Sequence, residues 1–472
     1  MPIGVDEWVA QHGERAEVRP GWRGAAARLG GRIGWWPRLA LALLAGLILG
    51  QLSLNVNIET VAVNCLIYAI LAVGLNIAVG WAGLLDLGYV AFFGFGAYGY
   101  AVFSSGALGT GGVGGSHLPA IESIPIVLAG AGILGALIGL MSLRVSGDYL
   151  AIVTLFVGQA FFEVVNNVDP GTLGGVNGIY GLDPVHGFGG QILTPKGYYI
   201  FALIVLAVLM GLLHLLDNSR TGRGWRAVRE DELAAEAMTV STGVVKVMAV
   251  SFGAIVGALA GTIFAAQQDN VFPTNFTANI LILIYACLVL GGAGSIAGAV
   301  LGGILVTAGE QMVSSPTDAG YLFYGLILLA LVIKVRPWRL LAGVVAGTVV
   351  LGLALHAIVG AISSTAVAGH SGSGGWIGSL VSHWVIVPAQ AATYGNALYI
   401  ATIALVFAIV RAPLRYRPFV LVPTIYVAAC CWESRLVVNP SITAQILIGA
   451  ILIATMTVRP QGLLGTMRVE VM

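Results

Sequence analysis

Apolar residues run along this chain in blocks of about 20, long enough for a helix to cross the hydrocarbon core of a bilayer. The blocks predict spans at 38–54, 60–79, 87–104, 124–143, 149–166 and 198–216, then at 247–267, 279–291, 295–312 and 320–334. Further blocks follow at 340–362, 393–411, 416–432 and 441–458. Together they describe an all-α polytopic membrane protein of about 12–14 transmembrane helices. One stretch breaks the pattern: Ser219–Met248, SRTGRGWRAVREDELAAEAMTVSTGVVKVM, is dense in charge. Helical spacing there places Arg226 with Glu230 and Arg229 with Glu232, and ends on the small residues Ala234, Ala235 and Ala237 before Met238. It reads as one water-exposed helix from Trp225 to Met238 with a contact face. A solvated connector between two spans fits the same spacing equally well.

Basic residues set the expected orientation. Residues 1–37 carry Arg15, Arg19, Arg23, Arg28 and Arg32 with no early apolar core, unlike a secretory signal peptide, and are expected to stay in the cytoplasm. Trp35 and Trp36 then mark the interface before the first span. From an internal N-terminus the chain returns inside at Arg144, at 219–246 and at Lys334–Arg339, and later at Arg411, Arg415, Arg417 and Arg459; all of these turns are basic. Outside lie a Gly-rich loop at 105–123, a longer loop at 167–197, and the segment 363–393 with His370, Trp376, His383 and Trp384, expected at the surface. Asp169, Asp183 and His186 of the longer loop lack ligand spacing, so an ordered Gly/Asn/Pro turn loop is favoured over a metal site.

Composition narrows the class. The mean hydropathy is +0.93, and only 9% of the 472 residues are charged, against about a quarter in soluble domains. A net charge of +1 offers no basic field for nucleic acid. The 66 glycines include a double GxxxG at Gly253, Gly257 and Gly261, and single pairs at Gly135/Gly139, Gly298/Gly302 and Gly343/Gly347, as expected where helices approach closely in a bilayer. Cys65, Cys287, Cys430 and Cys431 sit in or beside apolar runs without CxxC spacing, which points to packing.

A pump must draw energy from somewhere, and each source leaves residues behind. No GxxxxGK[ST] loop is present, and none of Lys196, Lys246 and Lys334 follows a glycine, so the chain does not hydrolyse ATP unaided. GGAGSIAG at 291–298 lacks β-α-β context and reads as a helix break. Among the acids, Glu310 and Asp148 fall near span ends, leaving Asp86 and Glu163 as candidates for burial, thin support for a proton relay. Nucleophile elbows, HExxH and paired carboxylates are missing, so the chain does not read as an enzyme.

Glycines at 80, 83, 88, 94, 96 and 99 interrupt a second apolar stretch. Broken helices at membrane depth require protein or a wet cavity around the freed backbone, and in transporters such breaks often line the substrate path. Asn76, Gly83, Asp86, Gly88, Tyr89 and Phe92 are the candidate path residues. Close packing around aromatic rings is the equal alternative. Gly291–Gly294 forms a comparable break in the second half. KVRPWRLL at 334–341 and TVRPQGLL at 457–464 each close an apolar span, as though a terminal module had been duplicated or an insertion placed before the end.

The segments LAVGLNIAVGWAGLLDLGYVAFFGFGAY (71–98), GDYLAIVTLFVGQ (147–159), GGVNGI (174–179), SRTGRGWRAVREDELAAEAM (219–238), LVLGGAGSIAGAVLGG (288–303) and RPQGLLG (459–465) together resemble the inner-membrane permeases of branched-chain amino-acid ABC transporters, of the LivM type. The resemblance implies the ABC importer permease fold with broken or re-entrant helices, in the bacterial inner membrane. It also implies a second permease subunit of the LivH type, two cytoplasmic ATPases and an external solute-binding protein, with ATP used by the partners and no cofactor held by this chain. In such transporters the loop matching Arg229–Met238 is a coupling helix seated in a groove on the ATPase. ATPase contact is thereby assigned to Arg226, Arg229, Glu230, Asp231, Glu232, Ala234, Ala235, Ala237 and Met238.

Two positions depart from the family's habit: Thr239 stands where glycine is usual, putting the turn after the coupling helix in question, and Val176 stands where proline is usual. The domains expected are a cytoplasmic segment at 1–37, a permease core at 38–338 with a coupling loop at 217–246, and an additional transmembrane region at 339–472, of which 340–444 lies outside the resemblance. A urea or short-chain amide ABC permease shares these motifs, and a gradient-driven secondary transporter is the rival from another class.

Overall fold

The computed structural model describes residues 34–51, 56–105, 117–141, 143, 145, 148–168, 173–187, 190–334, 338–362, 373, 375–387, 391–411, 413, 417–436, 440–459 and 461–465. The arginines of the N-terminal segment through Arg32, with Arg144, Asp169, Arg336, His370 and Arg415, lie outside these residues.

The first half contains α1 (Trp35–Gln51), α2 (Val56–Leu75) continuing into a π-helical turn (Asn76–Trp81), α3 (Tyr89–Ser104), α4 (Ala120–Met141), α5 (Asp148–Asn167) and α6 (Pro195–Asp217). A charged hairpin of two short helices follows, α7 (Arg220–Glu230) and α8 (Glu232–Ala237). Then come α9 (Thr242–Gln268), α10 (Ala278–Gly291), α11 (Ile296–Ser314), α12 (Pro316–Lys334), α13 (Trp338–Ile362), α14 (Gly375–Ser382), α15 (Ala391–Arg411), α16 (Arg417–Cys431) and α17 (Pro440–Val458). Among the described residues, seven helices, including Val56–Trp81, are long and apolar enough to cross a membrane, and six shorter apolar helices accompany them. The protein is therefore a polytopic all-α membrane protein.

Helix α9 is the central post, packed on α2, α3 and α4. Its GxxxG glycines explain the closeness: a Cβ at Gly257 would lie 3.2 Å from the Tyr89 hydroxyl, and one at Gly261 would overlap the Phe93 carbonyl. Where α4 packs on α9, a Cβ at Gly135 would meet that of Ala254 at 2.6 Å. Gly343 has open space around it, so the last such pair is no helix contact at that residue. The four cysteines are buried.

At the end away from the charged hairpin, the long loop is ordered. Its strand β1 (Ile179–Tyr180) pairs antiparallel with β4 (Asn270–Val271), just beyond α9, and β2 (His186–Gly187) pairs with β3 (Gly190–Gln191). The Tyr100 hydroxyl donates to the Asp183 carbonyl at 2.6 Å, and His117 meets the Asp183 carboxylate at 2.7 Å. Val176 sits 69% exposed in a 3-10 turn, Gly175–Asn177, whose bend is made by positive-φ glycines at 174, 175 and 178.

One feature of the last third corrects the sequence reading. Segment 363–393 was expected at the surface, yet Val381, Val385 and Val387 are buried, and the Trp384 indole donates to the Thr348 carbonyl at 3.2 Å. The apolar spacing of those valines builds a small core with Tyr426, Ala429 and Cys430, separate from the main one. Beside it, Glu433, fully buried, accepts from Tyr324 Oη at 2.9 Å, Ser373 N at 2.8 Å and Ser373 Oγ at 2.7 Å. Helix α17 leaves that unit and returns to the main bundle, packing on α10 and α11. The segment after it caps α10: Leu463 N donates to Leu290 O and Leu464 N to Gly291 O, both at 2.9 Å. These are carbonyls that a helix end leaves without an intrahelical partner.

Candidate functional site

The chemistry-bearing segments converge at the charged end of the bundle. Helix α2 widens into its π-turn at Asn76 and ends at Trp81, and the chain runs without helix through residues 82–88 before α3 begins. Gly83 takes φ +71 there, the left-handed bend that releases the chain. Across from it, α10 ends at Gly291, and Gly292 and Gly294, at φ +112 and +94, turn the chain into α11. The Ser295 hydroxyl caps that helix by accepting from Gly298 N at 3.1 Å.

The two breaks are joined directly. Asn76 Oδ1 accepts from Gly294 N at 2.7 Å, and Trp81 Nε1 donates to Gly294 O at 3.2 Å. Neighbouring helices hold the unwound stretch: Tyr285 of α10 donates its hydroxyl to the Asp86 carbonyl at 2.6 Å, and Leu87 N donates to Thr154 Oγ1 of α5 at 2.9 Å. The Asp86 carboxylate accepts from Gly88 N at 2.9 Å, fixing the turn that starts α3. Asp86 is thus buried, as expected for one of the two intramembrane acids, and its carboxylate shapes the break. The other, Glu163, is exposed on α5. Of the candidate path residues, Asn76, Asp86, Gly88, Tyr89 and Phe92 are buried in the wall of the bundle, while Gly83 is exposed. The Tyr89 hydroxyl has no hydrogen-bond partner among the described residues.

The charged block contacts this knot. Trp225 of α7 is fully buried; its indole N–H donates to the Val245 carbonyl at 2.8 Å and its ring stacks on Trp81, centroids 5.8 Å apart. Arg229 donates to the Gly80 carbonyl. That carbonyl lies in the last turn of the π-helical segment, where partial negative charge gathers and a guanidinium is favoured. A Cβ on Gly83 would press on the Arg229 side chain at 2.9 Å.

The expected single helix from Trp225 to Met238 is corrected to two helices. Asp231 separates them in extended conformation, with φ −156 and ψ 113, and serves both: its N–H donates to Ala227 O at 3.1 Å, and its Oδ1 accepts from Ala234 N at 3.0 Å. An aspartate competes well for such a cap, so the helix ends where its side chain can satisfy the next one. The charges are accordingly placed differently from the i,i+4 reading. Arg226 pairs with Asp217, and Glu232 with the buried Lys246 of α9. Glu230, Ala234, Ala237 and Met238 are exposed, Ala235 is buried beneath α8, and Leu233 and Met238 present 79% and 77% of their surface to the outside.

Thr239 resolves the question of the turn after α8. It takes φ +65, and the bonds Thr239 N to Glu236 O (3.0 Å) and Val240 N to Ala235 O (3.1 Å) make a Schellman cap. The turn that glycine favours is formed here by a β-branched residue. Sequence reasoning had Arg229 and the glycines but missed Trp81, Thr154 and Tyr285 as the groups that join them. The available signals were a tryptophan inside a glycine-rich break and polar side chains isolated on apolar spans.

Comparison with known proteins agrees with this architecture. Residues 57–332 match the family described as branched-chain amino acid transport system / permease component. The chain is 32% identical over 308 residues to the high-affinity branched-chain amino acid transport system permease protein LivM of Escherichia coli (strain K12), covering 60% of this chain and 69% of that protein. It is likewise 32% identical over 305 residues to LivM of Salmonella typhimurium (strain LT2), with the same coverage of 60% and 69%. Against the permease protein BraD of Pseudomonas aeruginosa the identity is 26% over 282 residues, covering 57% of this chain and 89% of BraD. No solved structure matches the chain.

Proposed function

The chain belongs to the family of permease components of branched-chain amino acid transport systems, and from that premise we propose that the α7–α8 hairpin is the ATPase-docking element of an importer that moves branched-chain amino acids inward. In this reading two cytoplasmic ATPases, a second permease subunit and an external solute-binding protein complete the machine. The chain lies in the inner membrane with its N-terminus and the hairpin inside, in keeping with the basic turns at that end.

The observation that carries the reading is the seating of Trp225 on Trp81 and of Arg229 on the Gly80 carbonyl. One face of α7 is buried on the first break, while α8 offers exposed Leu233 and Met238 to a partner. A push received at α8 therefore reaches the break through a tryptophan stack and a charge-assisted hydrogen bond, and through Asn76 and Gly294 it reaches the second break. Rigid contacts of this kind transmit displacement because packed interiors deform little. The return of α17 to the main bundle supports reading residues 339–436 as an accessory unit inserted before the last core helix.

The test is co-purification and uptake. Permease carrying Leu233→Asp and Met238→Asp is expected to insert normally, to lose its ATPase subunits on purification, and to lose ATP-driven leucine uptake in proteoliposomes. Retention of the ATPases by that double variant would sink the docking assignment. Leucine uptake into liposomes lacking ATPases would instead restore the gradient-driven alternative.

A further inference from the structure

Helix α5 is long and apolar enough over Tyr149–Asn167 to cross a membrane, and its two faces differ in chemistry. One face packs on the first break: Thr154 accepts from Leu87 N at 2.9 Å, and a Cβ on Gly158 would lie 3.5 Å from the Gly88 Cα. The outer face carries Gln159, Glu163 and Asn167, all exposed and one helical turn apart. They are bonded into a row. Gln159 Nε2 donates to Glu163 Oε1 at 3.2 Å, and Asn167 Nδ2 donates to Glu163 Oε2 at 2.9 Å.

A charged side chain costs about 2.5–3.5 kcal/mol at mid-bilayer on insertion scales and less toward a span end, where water reaches it. Glu163 stands about 6 Å, and Gln159 about 12 Å, from the last residue of the helix at 1.5 Å per residue. The row therefore enters the membrane from the end opposite the charged hairpin. It ends at a crevice, where Gln159 is joined by Leu87, Val90 and Leu281 beside the unwound stretch. Exposed Leu155 and Phe156 flank it with apolar surface.

On the function proposed above, we infer that Glu163, held by Gln159 and Asn167, is a station on the permeation path that takes the α-ammonium group of the amino acid. Each carboxylate oxygen is given one bond by an amide and keeps a second lone-pair direction for a cationic donor. Three N–H donors on an ammonium match that vacancy, and charge-assisted bonds of this type are about twice as strong as neutral ones. The two bracing amides fix the carboxylate rotamer, so the station is preorganised for the ammonium.

The test uses the complete transporter in proteoliposomes with its binding protein and radiolabelled leucine. Glu163→Gln is expected to lower uptake about tenfold or more, the scale of one lost charge-assisted hydrogen bond. Glu163→Asp should recover part of it, while subunit assembly, thermal stability and ATP hydrolysis stay at wild-type levels. Uptake within about twofold of wild type, or a loss that tracks dissociation of the second permease subunit, overturns the inference and makes the row a subunit contact. Failure of the functional reading itself would look different, because wild-type complex would then show no ATP-dependent leucine uptake.

Discussion

The carboxamide oxygen of Asn76 accepts a hydrogen bond from the backbone N–H of Gly294 at 2.7 Å, joining two helix breaks that lie 218 residues apart in the chain. The Gly294 N–H is freed by its helix break, and the Asn76 side chain supplies the acceptor it lacks. Asn76 is 1% exposed, so water does not substitute for the bond. Replacing Asn76 with leucine keeps the branched shape, though not the volume, and leaves the Gly294 N–H unpaired, which is expected to destabilise the permease by about 1–3 kcal/mol. Asn76→Asp, which retains the acceptor, should lie closer to wild type in melting temperature measured in detergent; equal melting of wild type and Asn76→Leu would show the bond to be immaterial.

Trp225 tests the route from hairpin to break. Trp225→Phe removes the indole N–H that reaches Val245 but keeps an aromatic face for Trp81. Trp225→Ala removes both and empties a fully buried position, for an expected loss of about 3–5 kcal/mol. In the assembled transporter, the phenylalanine variant should keep most of its transport per ATP hydrolysed and the alanine variant should lose it. Identical coupling ratios in the two would place transmission elsewhere.

Thr239 is the clearest candidate for stabilisation. Its φ of +65 puts a β-branched side chain in a conformation that carries a penalty of about 1–2 kcal/mol for L-residues. Thr239→Gly relieves that strain while keeping the Schellman bonds, against some added freedom in the unfolded chain. A rise in melting temperature with uptake intact is expected, and a fall would mean that the threonine side chain makes a compensating contact.

Gly462 tests the cap on α10. A Cβ there would come within 2.6 Å of the Gly292 Cα and N, so Gly462→Val forces the tail off the helix end and leaves the Leu290 and Gly291 carbonyls to water. Overpacking of this kind costs about 1–3 kcal/mol. Limited proteolysis should then cut near residue 462 in the variant and spare it in the wild type.

Much of the fold and part of the site were legible in the residues alone. Apolar block length dictated the spans, because a bilayer accepts little else, and clustered glycines located the packed faces and both breaks. The charged block stood out because its residues have no place in hydrocarbon. The family motifs, spread from residue 71 to residue 465, carried the transport reading that comparison with known permeases then bore out. Periodicity, however, favoured one helix at 225–238, and it could not show that Asp231 would cap the next helix in place of continuing the first.

Only the tertiary structure decided which distant groups meet. Arg229 lies three residues from Glu232 in sequence, yet its guanidinium donates to the Gly80 carbonyl, a contact spanning 149 positions. Asp86 and Glu163 looked alike as isolated acids on apolar stretches, but one is buried where its carboxylate shapes a turn and the other is exposed in a polar row. Sequence spacing reports which residues share one helix face, whereas these assignments depend on how whole helices are stacked. The Ser219–Met248 block was thus identifiable from its charge, and its seat on the breaks at 76–88 and 291–295 from packing alone.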